Sequence, residues 1–364
     1  FEGIPGTMGR SNLRAGNEVG GYNIVEITGD KAVFSERNPG VGTQEAWRSI
    51  PLGIKEYDLS ELFKRPTYAV NDSFPKVEKL WEWHSDANVI STPVYQKDLV
   101  IYGNSTGTIE ALSAETGELQ WEFKTGGGVF SSPAAFEELV VFGSGDGSVY
   151  ALNSETGNPV WKIPTEASVL GSPLISEGKI YIGGSDGYFR ALDARTGKEI
   201  WNYKGLQGPV VSTPIIHKGN VIFGAWDKHL YALNISNGKL SWKWDNGSPN
   251  RMFSPAMVIP VAHEGVIYIA APDRYLTAID AEKGFTLWRT NEATVRESIG
   301  ISEDNSLIYG KTMNDEIVAF KSNKEAPELA WRMDSGFGYD HVPSMLFEQD
   351  GEIIFGTRNG RVYS

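Results

Sequence analysis

The chain has 364 residues, enough to bury a sizeable core in one large or two ordinary domains, and 33 Lys plus Arg stand against 46 Asp plus Glu, for a formal charge of −13. That balance argues against nucleic acid as a partner, because phosphate binding needs a basic surface. With no Cys, the sequence excludes disulfides, Cys-bound zinc, iron–sulfur clusters and thiol nucleophiles, and it has no apolar run near the ~18–20 residues of a membrane span. The 41 Gly, 18 Pro, 15 Tyr and 11 Trp make a turn-rich, aromatic chain, the profile of an all-β protein. Phe1 is not an initiator Met, so the chain is expected to be a mature form or a piece of a longer one.

Residues 1–75 form an extension with no internal repeat. Gly20–Ile27, Gly29-Asp30 and Ala32–Phe34 predict a β-hairpin, Asp58–Lys64 a short helix capped by Asp58 or Ser60, and Lys64–Pro75 a linker. From residue 76 a forty-residue period takes over. Ala-Leu-x4-Gly-x3-Trp occurs at Ala111–Trp121, Ala151–Trp161, Ala191–Trp201 and Ala232–Trp242, with variants at Ala278–Trp288 and Ala319–Trp331. Trp81 extends the series backwards, and the Trp spacings are 40, 40, 40, 41, 46 and 43. A second marker, Ser or Thr before Pro, keeps the same phase at Pro93, Pro133, Pro173, Pro214 and Pro255 and misses near Ser298, and its Pro alone, after Val342, resumes at Pro343.

Each unit reads as four short strands. In the second, Ser131–Ala134 opens it, and Leu139–Phe142, Ser148–Leu152 and Val160–Ile163 follow, joined by turns such as Gly143–Gly147 and Ser154–Gly157 that tolerate positive φ. A four-stranded meander cannot bury both faces alone, and radial stacking with Trp wedges between sheets does so. Units begin near Ile90, Phe130, Leu170, Val211, Phe253, Arg296 and His341. The expected fold is therefore an all-β, seven-bladed β-propeller spanning residues 76–364. The last unit ends at its third strand, Arg361–Ser364, while Lys79–Trp83 is a Trp strand with no blade before it. The early strand is expected to complete the last blade and to hide two open edges.

The phrases Tyr150–Trp161 and Ala191–Trp201 resemble the PQQ-type propeller repeat of quinoprotein dehydrogenases and of BamB-type outer-membrane assembly lipoproteins. The quinoprotein alcohol dehydrogenases have eight blades, a calcium site and a vicinal Cys pair. Seven units without Cys make a PQQ cofactor an unexpected fit, and no cofactor is expected. The run Gly3–Arg14, with Gly20–Asn23 and Glu36–Pro39, resembles the segment after the last metal-binding motif of bacterial calcineurin-like metallophosphoesterases. The Asp-x-His, Gly-Asp, Gly-Asn-His and Gly-x-His blocks of that family are missing, so the resemblance implies the carboxy-terminal part of such an enzyme without its metal site.

Candidate chemistry is sparse. The histidines, at 84, 217, 229, 263 and 341, lack metal-ligand spacing, so no metal site is expected; His217, beside Lys218-Gly219, reads as a solvated turn residue. The Gly126–Gly128 and Gly143–Gly147 runs precede strands and read as turns, not nucleotide loops. One signal breaks the period. The inner openings of the first units are bland (Val89-Ile90, Val129-Phe130, Val169-Leu170), whereas later units place Arg251, Arg296-Glu297 and Asp340-His341 there. The turns between second and third strands change likewise, from Gly-Asp-Gly types to Trp226-Asp227-Lys228, Asp273-Arg274-Tyr275, Asn314-Asp315 and Arg358-Asn359. These groups predict a polar pocket at the channel mouth for a protein or a small carbohydrate or phosphorylated ligand, with Trp226 or Tyr275 as a stacking platform; the alternative is a set of salt bridges such as Arg296 with Asp340. The leading expectation is a non-catalytic binding module in an extracytoplasmic bacterial setting. The alternatives are a lyase or hydrolase using Glu297, His341 and Arg296 as base, acid and electrophile, or a BamB-like assembly scaffold.

Overall fold

The computed structural model describes residues 22–38, 42–52, 80–339, 344–356 and 362–363. The chain divides into two units, Phe1–Arg65 and Pro66–Ser364. In the first, strands Tyr22–Thr28, Lys31–Asn38 and Gly42–Pro51 form one antiparallel sheet. The first two are the expected hairpin, turning at Gly29 with φ +61°. The third strand is not among the expected ones: Gln44, Glu45 and Arg48 interrupt its alternation, and Trp47 stands with its ring 5.7 Å from that of Phe34. The residues of the expected helix, Asp58–Lys64, lie outside the described ones.

The second unit is all-β, and no helix among its described residues is long and apolar enough to cross a membrane. Six antiparallel four-stranded sheets follow one another in chain order, and a three-stranded sheet comes last. Blade 1, for example, consists of Val94–Gln96, Leu99–Gly103, Thr108–Ser113 and Leu119–Lys124, and blade 2 of Ala134–Phe136, Leu139–Ser144, Ser148–Asn153 and Pro159–Pro164. The short first strands of successive blades touch one another and form the inner ring. Second and third strands are buried on both faces, whereas the fourth alternates buried and exposed, as an outermost strand must.

Both sequence markers have a physical cause. In every four-stranded blade the repeated Ala pairs with the repeated Trp across the third and fourth strands, and a bulge follows that Ala in each. The Trp then reaches the next blade. Nε1 of Trp121 donates to the Ser154 carbonyl (3.0 Å), Trp161 to Ala194 (3.1 Å), Trp201 to Ile235 (3.0 Å) and Trp242 to Ala281 (2.9 Å). The repeated Gly lies under that ring. At Gly157, φ is +70° and an added Cβ would stand 2.6 Å from Trp121 Cε3, so both conformation and space demand glycine. The Ser marker stitches the inner ring: the Thr92 N–H donates to Ser132 Oγ (2.9 Å) and the Ser132 N–H to Ser172 Oγ (2.9 Å).

Consequently the core lies between blades, not within them. The buried apolar residues fall into six clusters, each shared by two neighbours; Phe189 of blade 3, for instance, stacks on Phe223 of blade 4 with ring centroids 3.8 Å apart. Ring closure follows the same rule. Trp81 Nε1 donates to the Ala114 carbonyl of blade 1 (2.9 Å), and an added Cβ on Gly117 would lie 2.6 Å from Trp81 Cδ2. Residues 80–83 form no strand and pair with none of the last blade's strands among the described residues, so of the expected closing strand the structure shows the Trp81 contact with blade 1. That last blade contains Leu346–Gln349, Glu352–Gly356 and Val362-Tyr363, in the expected antiparallel order.

Two expectations needed correction. Blade 5 opens later than Phe253: residues Arg251–Phe253 form a 3-10 turn, and the first strand is Val261–His263. Its Pro marker is Pro260, which directly precedes the strand as Pro214 precedes Ile215, while Pro255 belongs to an insertion. His217 is not a solvated turn residue. It ends the inner strand Ile215–His217, its Nε2 accepts the Gly265 N–H of the next blade (3.2 Å), and burial holds its imidazole below the usual histidine range, helped by Lys218 and His263.

Candidate functional site at the mouth face

The turns between second and third strands, and the linkers between blades, share one face of the propeller, the mouth face. Here the register of the repeat shows what each position does. Val129, Val169, Val210, Ala256 and Val295 are buried on successive blades, as are Ser91, Ser131, Ser212, Val258 and Glu297 two residues further along. Between these two buried positions lies one that is not: Ile90, Phe130, Leu170, Val211, Met257 and Arg296. Ile90 is 62 % exposed, Phe130 40 % and Met257 44 %, while Leu170 and Val211 are half-buried. Five blades therefore present an apolar side chain at the inner mouth, and the sixth an arginine.

At blade 6 the departure is deepest. Glu297 occupies the buried position that holds a small serine in blades 1, 2 and 4, and it is 4 % exposed. Its φ is +56°, and a bulge between Val295 and Ile299 accommodates the wider backbone. Burial pushes its carboxyl above the usual range, against the pull of Arg296, whose Nε lies 3.3 Å from Glu297 Oε2. Arg296 thus pairs with its neighbour in sequence. Asp340, His341 and Arg358 lie outside the described residues.

The turn residues proposed from sequence divide into two kinds. Asp227 belongs to the framework. Its Oδ2 accepts the Gln207 N–H (2.9 Å) and the Tyr231 hydroxyl (2.8 Å), and its Oδ1 accepts the His229 N–H (3.2 Å). Asp146 does the same work in blade 2, where Tyr150 and the Gly126 N–H bond its Oδ2 (2.5 and 3.1 Å). Burial works against the Asp146 charge, but those bonds and Lys162 outweigh it and hold the carboxyl below its usual range. Asp273 is bonded by Arg289 and by Asn246 Nδ2. Tyr275 carries the Arg289 guanidinium over one ring face, 4.5 Å from the centroid, so that face is occupied. Trp226 is half-buried and its N–H donates to the Pro209 carbonyl (3.0 Å).

Arg251 and Arg274 are of the second kind: both are exposed. Arg274 has φ +67°, at the turn position where blades 1, 2 and 3 use Gly107, Gly147 and Gly187 at φ +94°, +81° and +82°. Lys228, at φ +82°, stands there in blade 4, following Asp227 as Gly147 follows Asp146. Among the described residues, eight of the twelve positive-φ residues other than Gly lie at the hairpins joining first and second strands; the remaining four, Lys228, Arg274, Thr294 and Glu297, all lie on the mouth face of blades 4–6. Such a conformation costs about 1 kcal/mol for a non-glycine residue. Among the described residues no group of three His, Cys, Asp or Glu is placed to hold a metal.

Comparison with known proteins agrees with this architecture. Residues 105–251 match the family model described as outer membrane protein assembly factor BamB. A search of curated protein sequences gives no match. Among solved structures, BamB from Moraxella catarrhalis superposes with a TM-score of 0.63 at 16 % identity, covering 78 % of this chain and 84 % of that one. The quinohemoprotein alcohol dehydrogenase ADHIIG from Pseudomonas putida HK5 gives 0.54 at 13 % identity, covering 76 % and 71 %. The computationally designed Ika8 protein gives 0.51 at 16 %, covering 79 % and 98 %. At these identities the neighbours speak for the fold alone. The matched repeat and the shared fold make this chain a PQQ-like β-propeller.

Proposed function

We propose that the chain is a non-catalytic binding module that takes a segment of a partner protein on the mouth face of its propeller. The observation that carries this reading is the apolar arc from Ile90 through Phe130, Leu170 and Val211 to Met257. Ile90, Phe130 and Met257 are exposed and Leu170 and Val211 half-buried, although from Phe130 onward each stands between two buried neighbours. Large apolar side chains left open to solvent at the same position of successive blades suit an interaction surface. The matched family description, an outer membrane assembly factor, supports a scaffold role and an extracytoplasmic setting. The resemblance of Gly3–Pro39 to the segment after a calcineurin-like metal site supports a place behind a phosphoesterase domain, and metal-ligand blocks encoded upstream of Phe1 would bear that out.

The burial of Glu297 counts against the lyase or hydrolase alternative, since a general acid or base must come within hydrogen-bond reach of substrate. The test is selection of random displayed peptides on the immobilised full chain, followed by fluorescence-anisotropy titration of the selected peptides. Peptides rich in apolar residues are expected, with binding lost in Phe130→Asp and Met257→Asp. Selection of nothing, or equal binding by these variants, overturns the reading.

A further inference from the structure

We infer that Lys228, Arg251 and Arg274 form a cationic sector that reads carboxylate side chains in the bound segment. The inference rests on the mouth face being a peptide-binding surface, and it names the chemistry of the partner: an acidic segment with apolar residues. Three observations carry it.

First, Lys228 and Arg274 stand where blades 1–3 use glycine, at φ +82° and +67°. A chain that could place glycine there instead carries two cations in a backbone conformation that disfavours them, which is the signature of a position kept for its side chain. Second, the three cations have no side-chain acceptor among the described residues, while the carboxylates beside them, Asp227 and Asp273, are turned inward and bonded. The turn carboxylates are thus engaged by the framework, and Asp245 of the linker faces His229 at 3.8 Å, in a protein whose formal charge is −13. Third, the three stand on segments that hydrogen bonds join. Ser254 Oγ accepts the Lys228 N–H (2.9 Å) and donates to the Arg251 carbonyl (2.6 Å), and Asn246 of the linker before Arg251 donates to Asp273 of the Arg274 turn (2.7 Å). The same insertion exposes Met252 by 65 % and Met257 by 44 %, so apolar groups stand beside the cation Arg251. Such a surface complements an acidic-apolar segment, with charge setting orientation and rate of encounter.

The experiment uses the full chain and three fluorescent peptides of one leucine-containing framework whose variable positions are all Asp, all Ser or all Lys, with a thymidine oligonucleotide as competitor. The Asp peptide is expected to bind more tightly than the Ser peptide, with the preference shrinking as salt is raised. The triple variant Lys228→Gly, Arg251→Ser, Arg274→Gly should weaken the Asp peptide about tenfold and leave the Ser peptide unchanged. The single variants Lys228→Gly and Arg274→Gly should also melt at a higher temperature, because they restore the residue that blades 1–3 use. Equal binding of the Asp and Ser peptides, a preference that survives in the triple variant, or displacement of the Asp peptide by the oligonucleotide at lower concentration overturns the inference. Failure of all three peptides to bind overturns the binding-face reading beneath it.

Discussion

Gly157 shows how a single residue carries the repeat. With φ at +70° and Trp121 Cε3 2.6 Å from where a Cβ would stand, Gly157→Ala must both strain the backbone and displace a buried indole. The expected loss is about 3 kcal/mol, read from denaturant unfolding. Gly219 also has positive φ, but nothing lies within 4 Å of an added Cβ, so Gly219→Ala should lose only the backbone part and melt closer to the parent. Glu297 makes a prediction in pH. Its folded carboxyl is raised by burial, so it holds its proton more tightly folded than unfolded. The stability it contributes is full below the ordinary Glu value of about 4 and is lost as pH rises through the raised one. Glu297→Gln removes that dependence. The stability of the wild type minus that of the variant should therefore fall with rising pH in urea titrations; a flat difference would place the carboxyl at its ordinary value.

The strand, turn and linker repeat because each solves one packing problem. The bulge after the third-strand Ala sets the Trp on the fourth strand, and the Trp indole closes against the next blade's turn. That chemistry was legible because it recurs: Ala, Gly and Trp at fixed spacing announce both the pairing and the wedge. The inner openings were harder to read. Ser254-Pro255 mimics the Ser-Pro marker, and only the pairing Val261↔Tyr268, the counterpart of Ile215↔Ile222, places Pro260 in that role. Taking Pro255 as the marker hides Met257 from the apolar arc and sets Arg251, which stands in an insertion, at a blade opening. For the same reason Glu297 was read as a mouth residue, whereas its register gives it a buried seat beneath Arg296. A charge in the sequence reports composition, and only register tells which side of a strand holds it. Trp81 gives the test at this scale. Trp81→Ala removes the indole that bonds the Ala114 carbonyl and covers Gly117, and should cost about 3 kcal/mol. Melting unchanged from the parent would show that the early strand does not close the ring.

At the scale of the whole molecule, stability and function occupy different parts of the propeller. Six interblade clusters hold the ring together, and the mouth face departs from the repeat only where its turns and linkers face outward. The opposite face follows the repeat more closely. It carries the first-to-second-strand hairpins, which pair ionically across blades, as Lys97 does with Glu155 (2.6 Å) and Arg195 with Glu137. Those exposed pairs contribute little to stability, and their removal should leave ligand binding untouched. The two faces thus make opposite predictions in one measurement. Hydrogen–deuterium exchange of the full chain, with and without a selected peptide, should show slowed exchange at residues 128–130, 226–228, 251–257 and 273–275, with the hairpins at 97–98, 137–138 and 177–178 unaffected. Protection confined to those hairpins, or no protection at saturating peptide, would contradict the assignment of the mouth face as the binding surface.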